Sequence, residues 1–213
     1  MNVVTSSERV SSYGQHRDPT VVDQFGVWLG TLTVRRHARF DGARFADFGC
    51  GFHASFARTQ LAACRSALLV DLALSDELKH HPKVTAIEGS LPDVLPGIGD
   101  QSLDVVLCLS VLEHLDDAQE TVNHLHRVLA PGGTAIVNVP SWLGKWFLEM
   151  SAFRLGWSPA EEMDDHKAYY DPCDLWPMLV RAGFRPSQIR CHRHKFGLNT
   201  SAVCRREQNK DAA

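Results

Sequence analysis

The stretch Phe45-Ala46-Asp47-Phe48-Gly49-Cys50-Gly51-Phe52-His53 brings an acid, two glycines, a thiol and an imidazole close together. A short apolar run leads into Asp47, and a segment able to start a helix follows Gly51. Glycines at a strand-to-helix turn let the backbone bend tightly and let a ligand reach the main chain. Asp71 closes a second apolar run, Ala67-Leu68-Leu69-Val70, 22 residues after Gly49. Gly49-x-Gly51-x-x-Ala54 with an acid at that distance satisfies the dinucleotide fingerprint. Asp47 argues for a different ligand. A carboxylate two residues ahead of Gly49 repels a pyrophosphate and suits a positively charged ligand.

The elements that must position these groups alternate. Asp18-Pro19 reads as the start of a helix running to about Ala38, with Asp as N-cap and Pro first. Asp41-Gly42 turns into a strand over 44–48, and a helix over 54–64 follows the glycines. Further strands are expected at 67–71, 84–87 and 103–109, the last apolar throughout, as befits a strand covered on both faces. Asp116 reads as the N-cap of the next helix, with Gln119 as its capping-box partner and Val122, Leu125 and Leu129 on one face. Pro131-Gly132-Gly133 ends that helix, and 134–139 is the fifth strand. Such alternation calls for an α/β fold with a doubly wound, mainly parallel sheet and helices on both faces. Asp174 is expected to cap a last helix, because that frame leaves Pro177 in the first turn. Strands at 187–191 and 200–205 complete the pattern.

The chain of 213 residues, 44% hydrophobic and 22% charged, suits one α/β domain over 18–206 with a real core. Residues 1–17 read as a loose N-terminal segment and 207–213 as a tail. A net charge of −3 offers no global field for nucleic acid or an acidic membrane, and the basic run from Arg185 to Arg206 reads as a solvated strand pair. No run approaches a membrane span. The six cysteines form no Cys-x-x-Cys pair, and no apolar signal core opens the chain, so a cytoplasmic protein with reduced thiols is expected. The segment 141–170 interrupts the alternation. Its Trp142, Trp146, Phe147, Met150, Phe153 and Trp157 suggest a helix over 143–154 whose aromatic stripe serves core packing or, placed after the fifth strand, a substrate wall.

The order of motifs resembles S-adenosylmethionine-dependent methyltransferases of the Rossmann-like class. Ser102-Leu103-Asp104-Val105-Val106, Val111-Leu112-Glu113-His114-Leu115 and Leu129-Ala130-Pro131-Gly132-Gly133 carry the resemblance beyond the glycine loop. It implies a seven-stranded sheet with the last strand antiparallel, and S-adenosylmethionine as cofactor. Asp47 would approach the cofactor's amino group, and Gly49, Cys50 and Gly51 would let the methionine moiety approach the backbone. Asp71, with Leu72 beside it, would accept the ribose hydroxyls. Ser90, where the family often has Asp, and Leu91 would face the adenine. Leu109 and Ser110 would line the region between adenosine and methyl group. His53 replaces a third glycine, and its expected role divides between packing at the helix entry and touching cofactor or substrate.

Methyl transfer needs a base only where the acceptor must lose a proton. The candidates are His114, Glu113, His166, Tyr169 and Tyr170. The Asn/Asp-Pro-Pro-Tyr signature of amino-methylating relatives is absent at the fourth strand, which disfavours base or amide acceptors in nucleic acid and protein; a small-molecule or sugar oxygen is the expected acceptor. Cys50 with His53, His80 with His81, and Cys191-His192-x-His194 lack the spacing of a four-ligand zinc site, so no metal is expected. A narrower resemblance, through 165–176 and 194–200, is to methyltransferases found among surface-polysaccharide biosynthesis genes. It implies a sugar or glycan-type acceptor beside the general small-molecule one. Loss of catalysis with retention of the fold, and a nicotinamide enzyme, are the competing readings.

Overall fold

The computed structural model describes residues 11–15, 30–146 and 166–208. Seven strands form one sheet: β1 (Arg44–Phe48), β2 (Ser66–Asp71), β3 (Val84–Glu88), β4 (Leu103–Leu109), β5 (Leu129–Pro140), β6 (Ile189–His194) and β7 (Asn199–Arg205), in spatial order 3-2-1-4-5-7-6. Strands β1 to β5 are parallel neighbours, and β7 is antiparallel to both β5 and β6.

Both faces of the sheet are covered, because consecutive strand residues point to opposite sides. Phe45, Leu69 and Leu107 pack with Val34, Ala57, Leu61 and Leu78 from helix α1 (30–37), helix α2 (Ser55–Arg58) and its following turn, and helix α3 (Asp76–Lys79). On the other face Phe48, Val106 and Cys108 pack with Val122, Leu125, Leu175 and Leu179 from α4 (Ala118–Val128) and α6 (Pro172–Arg181). Between them in sequence lies α5 (142–146).

Several local expectations give way. The helix after the glycines stops at Arg58 instead of Cys64. Lys83 Nζ collects the carbonyls of Leu61, Ala62 and Cys64 at 2.9, 3.1 and 2.8 Å, which favours turns over a continuing helix there. Asp117, not Asp116, caps α4, accepting from the Glu120 N–H at 2.9 Å, while Asp116 pairs with Lys167. The last helix is capped by Asp171, not Asp174, with Pro172 in the first position and Pro177 inside. The Asp171 N–H donates to Asp174 Oδ2 at 2.9 Å, and this reciprocal cap outweighs the hydrogen bond Pro177 cannot make.

The expected helix start at Asp18-Pro19 and most of the aromatic segment, with Phe147, Met150, Phe153 and Trp157, lie outside the described residues. Trp142 and Trp146 are exposed, contrary to the core role expected of the stripe. Residues 11–15, expected to be loose, include a buried Ser12 whose Oγ donates to the Ala73 carbonyl at 2.8 Å.

Candidate functional site

The sheet reverses winding direction between β1 and β4, so the crevice outside their carboxyl ends is where a ligand fits an open α/β sheet. Asp47 lies one residue before the end of β1, and Asp71 is the last residue of β2. Ser90 and Leu91 follow β3, and Leu109 and Ser110 end and follow β4. The sheet therefore brings the expected cofactor residues to one edge.

Asp71 holds the loop as well as facing the crevice. Its Oδ2 accepts the Gly51 N–H at 2.7 Å and its Oδ1 accepts the Leu72 N–H at 2.8 Å. Each oxygen keeps a further lone pair for a ribose hydroxyl. Gly49 and Cys50 donate backbone N–H groups to the Val70 carbonyl. The two glycines serve the fold more than a ligand's approach. A Cβ on Gly49, at φ +75°, would collide with Val111 Cγ2, and one on Gly51 would sit 3.3 Å from the Tyr13 carbonyl oxygen. The Cys50 thiol is pushed up by burial and then by the Asp47 and Asp71 charges, so it is no nucleophile.

Asp47 is only 4% exposed. Burial, then the charge of Asp71, raises its pKa to about 7. Two neighbouring acids with one of them buried form a site short of positive charge. That donor set fits the ammonium and sulfonium of S-adenosylmethionine and opposes a pyrophosphate. The helix opened by Ala54 has four residues, which supplies little dipole for a dinucleotide. His53 is exposed at the loop, with its ring edge-on to that of Phe52 and the ring centroids 4.9 Å apart. Ser110 adopts φ +58° and donates its N–H to the Asn138 carbonyl at 2.7 Å, fixing the turn that leaves β4.

That turn leads to the second half of the site. A short helical turn, Leu112–His114, carries buried Glu113 and half-buried His114. Segment 166–170 lies along it, with the Lys167 N–H on the Glu113 carbonyl at 2.7 Å and the Tyr170 N–H on the Pro140 carbonyl at 3.0 Å. This brings three expected base candidates together. The His114 and His166 rings are 4.8 Å apart, and His166 Nδ1 lies 3.1 Å from the Tyr169 hydroxyl. Tyr170 turns away into the core, its hydroxyl toward the Leu112 carbonyl, and burial raises its pKa.

Lys195 is the site residue that sequence reasoning missed. Burial lowers its pKa, and the neighbouring Glu113 charge works against that shift. It sits at φ +49°, followed by Phe196 at φ +59°, and strain of this kind clusters at functional sites. Its only sequence signal is membership of the motif His194-Lys195-Phe196-Gly197.

A cavity of about 600 Å³, lined by Arg36, His37, Arg39, Asp104 and Arg205, opens at the opposite edge of the sheet, away from these groups.

Residues 46–137 match the family described as a methyltransferase domain. The ubiquinone biosynthesis O-methyltransferase of Rickettsia bellii is 25% identical over 124 residues, 57% of this chain and 50% of the relative. The chain thus spans about half the length of that curated relative. An S-adenosylmethionine dependent methyltransferase from Mesorhizobium loti superposes with a TM-score of 0.60 at 16% identity, covering 82% of this chain and 96% of the other. An O-methyltransferase family protein from Burkholderia thailandensis gives 0.60 at 17% identity, covering 89% and 57%. The fold and the match over residues 46–137 agree: this part of the chain is similar to methyltransferase domains and lies on the Rossmann-like α/β sheet that the solved methyltransferases share.

Proposed function

We propose that the protein transfers a methyl group from S-adenosylmethionine to a hydroxyl oxygen of a small-molecule acceptor. The observation that carries this reading is the pair Asp47 and Asp71 flanking the glycine loop at the switch point. A relative and a structural neighbour named as O-methyltransferases support oxygen as the acceptor atom. Six free cysteines fit a cytoplasmic location, and among the described residues no helix is long and apolar enough to cross a membrane. Among the described residues, nothing on the two edges of the sheet favours a sugar over another hydroxyl compound.

The cofactor, when bound, supplies a methyl carbon activated by a positively charged leaving group. Asp71 holds the ribose hydroxyls and keeps the loop in shape through Gly51. Asp47 neutralises the ammonium. The turn at Ser110 and the cluster of Glu113, His114, His166 and Tyr169 face the acceptor hydroxyl, which must lose its proton for transfer.

Calorimetric titration with S-adenosylhomocysteine tests the first half of the reading. Micromolar binding that weakens in Asp71→Ala is expected, and no binding by wild type at submillimolar ligand overturns it. Labelled S-adenosylmethionine with a panel of phenols, vicinal diols and sugars then tests the acceptor class.

A further inference from the structure

Glu113, His114 and His166 each offer one ligand atom, and those atoms all lie within 4.8 Å of one another. Three points no farther apart than 4.8 Å fit within about 2.8 Å of a common centre, so shifts below ~1 Å bring them to the roughly 2.0–2.2 Å of a metal bond. We propose that these three side chains bind a divalent first-row transition cation, of the zinc type, that holds and ionises the acceptor hydroxyl. The proposal rests on the methyl-transfer reading and deepens it. It departs from the expectation of no metal, because these ligands are far apart in sequence and meet only in space.

The chemistry of the donors selects the ion. Two imidazoles and one carboxylate suit a borderline divalent cation better than Mg²⁺ or Ca²⁺, which prefer oxygen ligands throughout. Three protein ligands leave coordination positions open, as catalytic sites require. The supporting shell is present. His166 Nδ1 lies 3.1 Å from the Tyr169 oxygen, and in the tautomer that places the proton on Nδ1 this contact leaves the Nε2 lone pair for the metal. The Tyr169 ring is itself braced by Trp142 at 5.6 Å and lies under Lys145 Nζ at 5.9 Å. Buried Glu113 is fixed through its carbonyl, which takes the Lys167 N–H.

The cluster also stands in the right place. It begins two residues after Val111, whose side chain packs against Gly49 of the cofactor loop. A cation here lowers the pKa of a bound acceptor hydroxyl. The O–H bond breaks and its proton passes to a neighbouring base or water. The oxygen lone pair then forms the new C–O bond while the C–S bond breaks, its electron pair remaining on sulfur. His114 and His166 serve in this scheme as ligands, not as bases.

The test uses the full chain, stripped with a chelator and titrated with Co²⁺, followed by visible absorption and then by competition with Zn²⁺. One Co²⁺ per chain is expected, with d–d bands of a nitrogen- and oxygen-ligated ion. His166→Ala, on the half-buried segment, and Glu113→Gln, checked for folding by circular dichroism, are each expected to weaken binding at least about tenfold. No Co²⁺ binding by wild type, or binding unchanged in His166→Ala, overturns the proposal. S-adenosylhomocysteine is titrated into the same stripped protein. Its binding there is expected to be retained, and its failure would strike the methyl-transfer reading while leaving the cobalt result to stand on its own.

Discussion

The Gly51 N–H donates to Asp71 Oδ2 at 2.7 Å, so the acid expected to hold the ribose is also the anchor of the glycine loop. Asp71→Ala removes both functions. Affinity for S-adenosylhomocysteine should fall by about 1.5–3 kcal/mol, the value of charged hydrogen bonds. Asp71→Asn keeps one oxygen acceptor and should lose less. Calorimetry of the two variants checks this, and equal losses would separate Asp71 from the ribose.

Asp47 should make both stability and binding depend on pH. Its native pKa is about 7 against 3.8 for the free side chain. Between those values the native state binds the proton and the unfolded chain does not, so stability falls as pH rises through the window and the penalty is complete above it. Asp47→Asn should stabilise the ligand-free protein by about 1–4 kcal/mol at pH 8 and by almost nothing at pH 3. The same variant should weaken S-adenosylhomocysteine binding, since the ammonium loses its counter-charge. Urea unfolding at several pH values, with calorimetry, reads both effects.

Gly49 and Val111 should behave as a coupled pair. Gly49→Ala places a methyl group against Val111 Cγ2 in a left-handed backbone conformation. A loss of roughly 2–4 kcal/mol is expected from overpacking and backbone strain together. Val111→Ala in the same chain should recover part of it, because it removes the collision and leaves the strain. A double-mutant cycle by denaturant unfolding measures the recovery.

Lys83→Met should cost about 1–3 kcal/mol of stability without changing cofactor affinity. Its ammonium serves the carbonyls of Leu61, Ala62 and Cys64 on the turns after α2, remote from the acids. Unfolding and titration of one variant therefore give opposite answers, and a parallel loss of affinity would contradict the assignment.

The sequence by itself determined the strands (apart from 129–133, expected as helix end and turn but part of β5), their alternation with helices, and the edge at which the cofactor residues meet. The apolar runs ending in Asp47, Asp71 and Leu109 are local signals, since a strand's burial on both faces is written in consecutive residues. The helix ends were less legible. Asp117 and Asp171 won over neighbouring aspartates, and Lys83 replaced a helix by turns, because capping depends on which donors and acceptors the rest of the fold brings near. The second half of the site was legible only as separate residues. Glu113 and His114 sit after β4, His166 lies 52 residues beyond His114, and Lys195 comes after the last helix. Sequence spacing cannot join them, because a ligand set is defined by distance in space. Only the tertiary structure, by laying 166–170 along the Leu112–His114 turn, placed Glu113, His114 and His166 within reach of one ion.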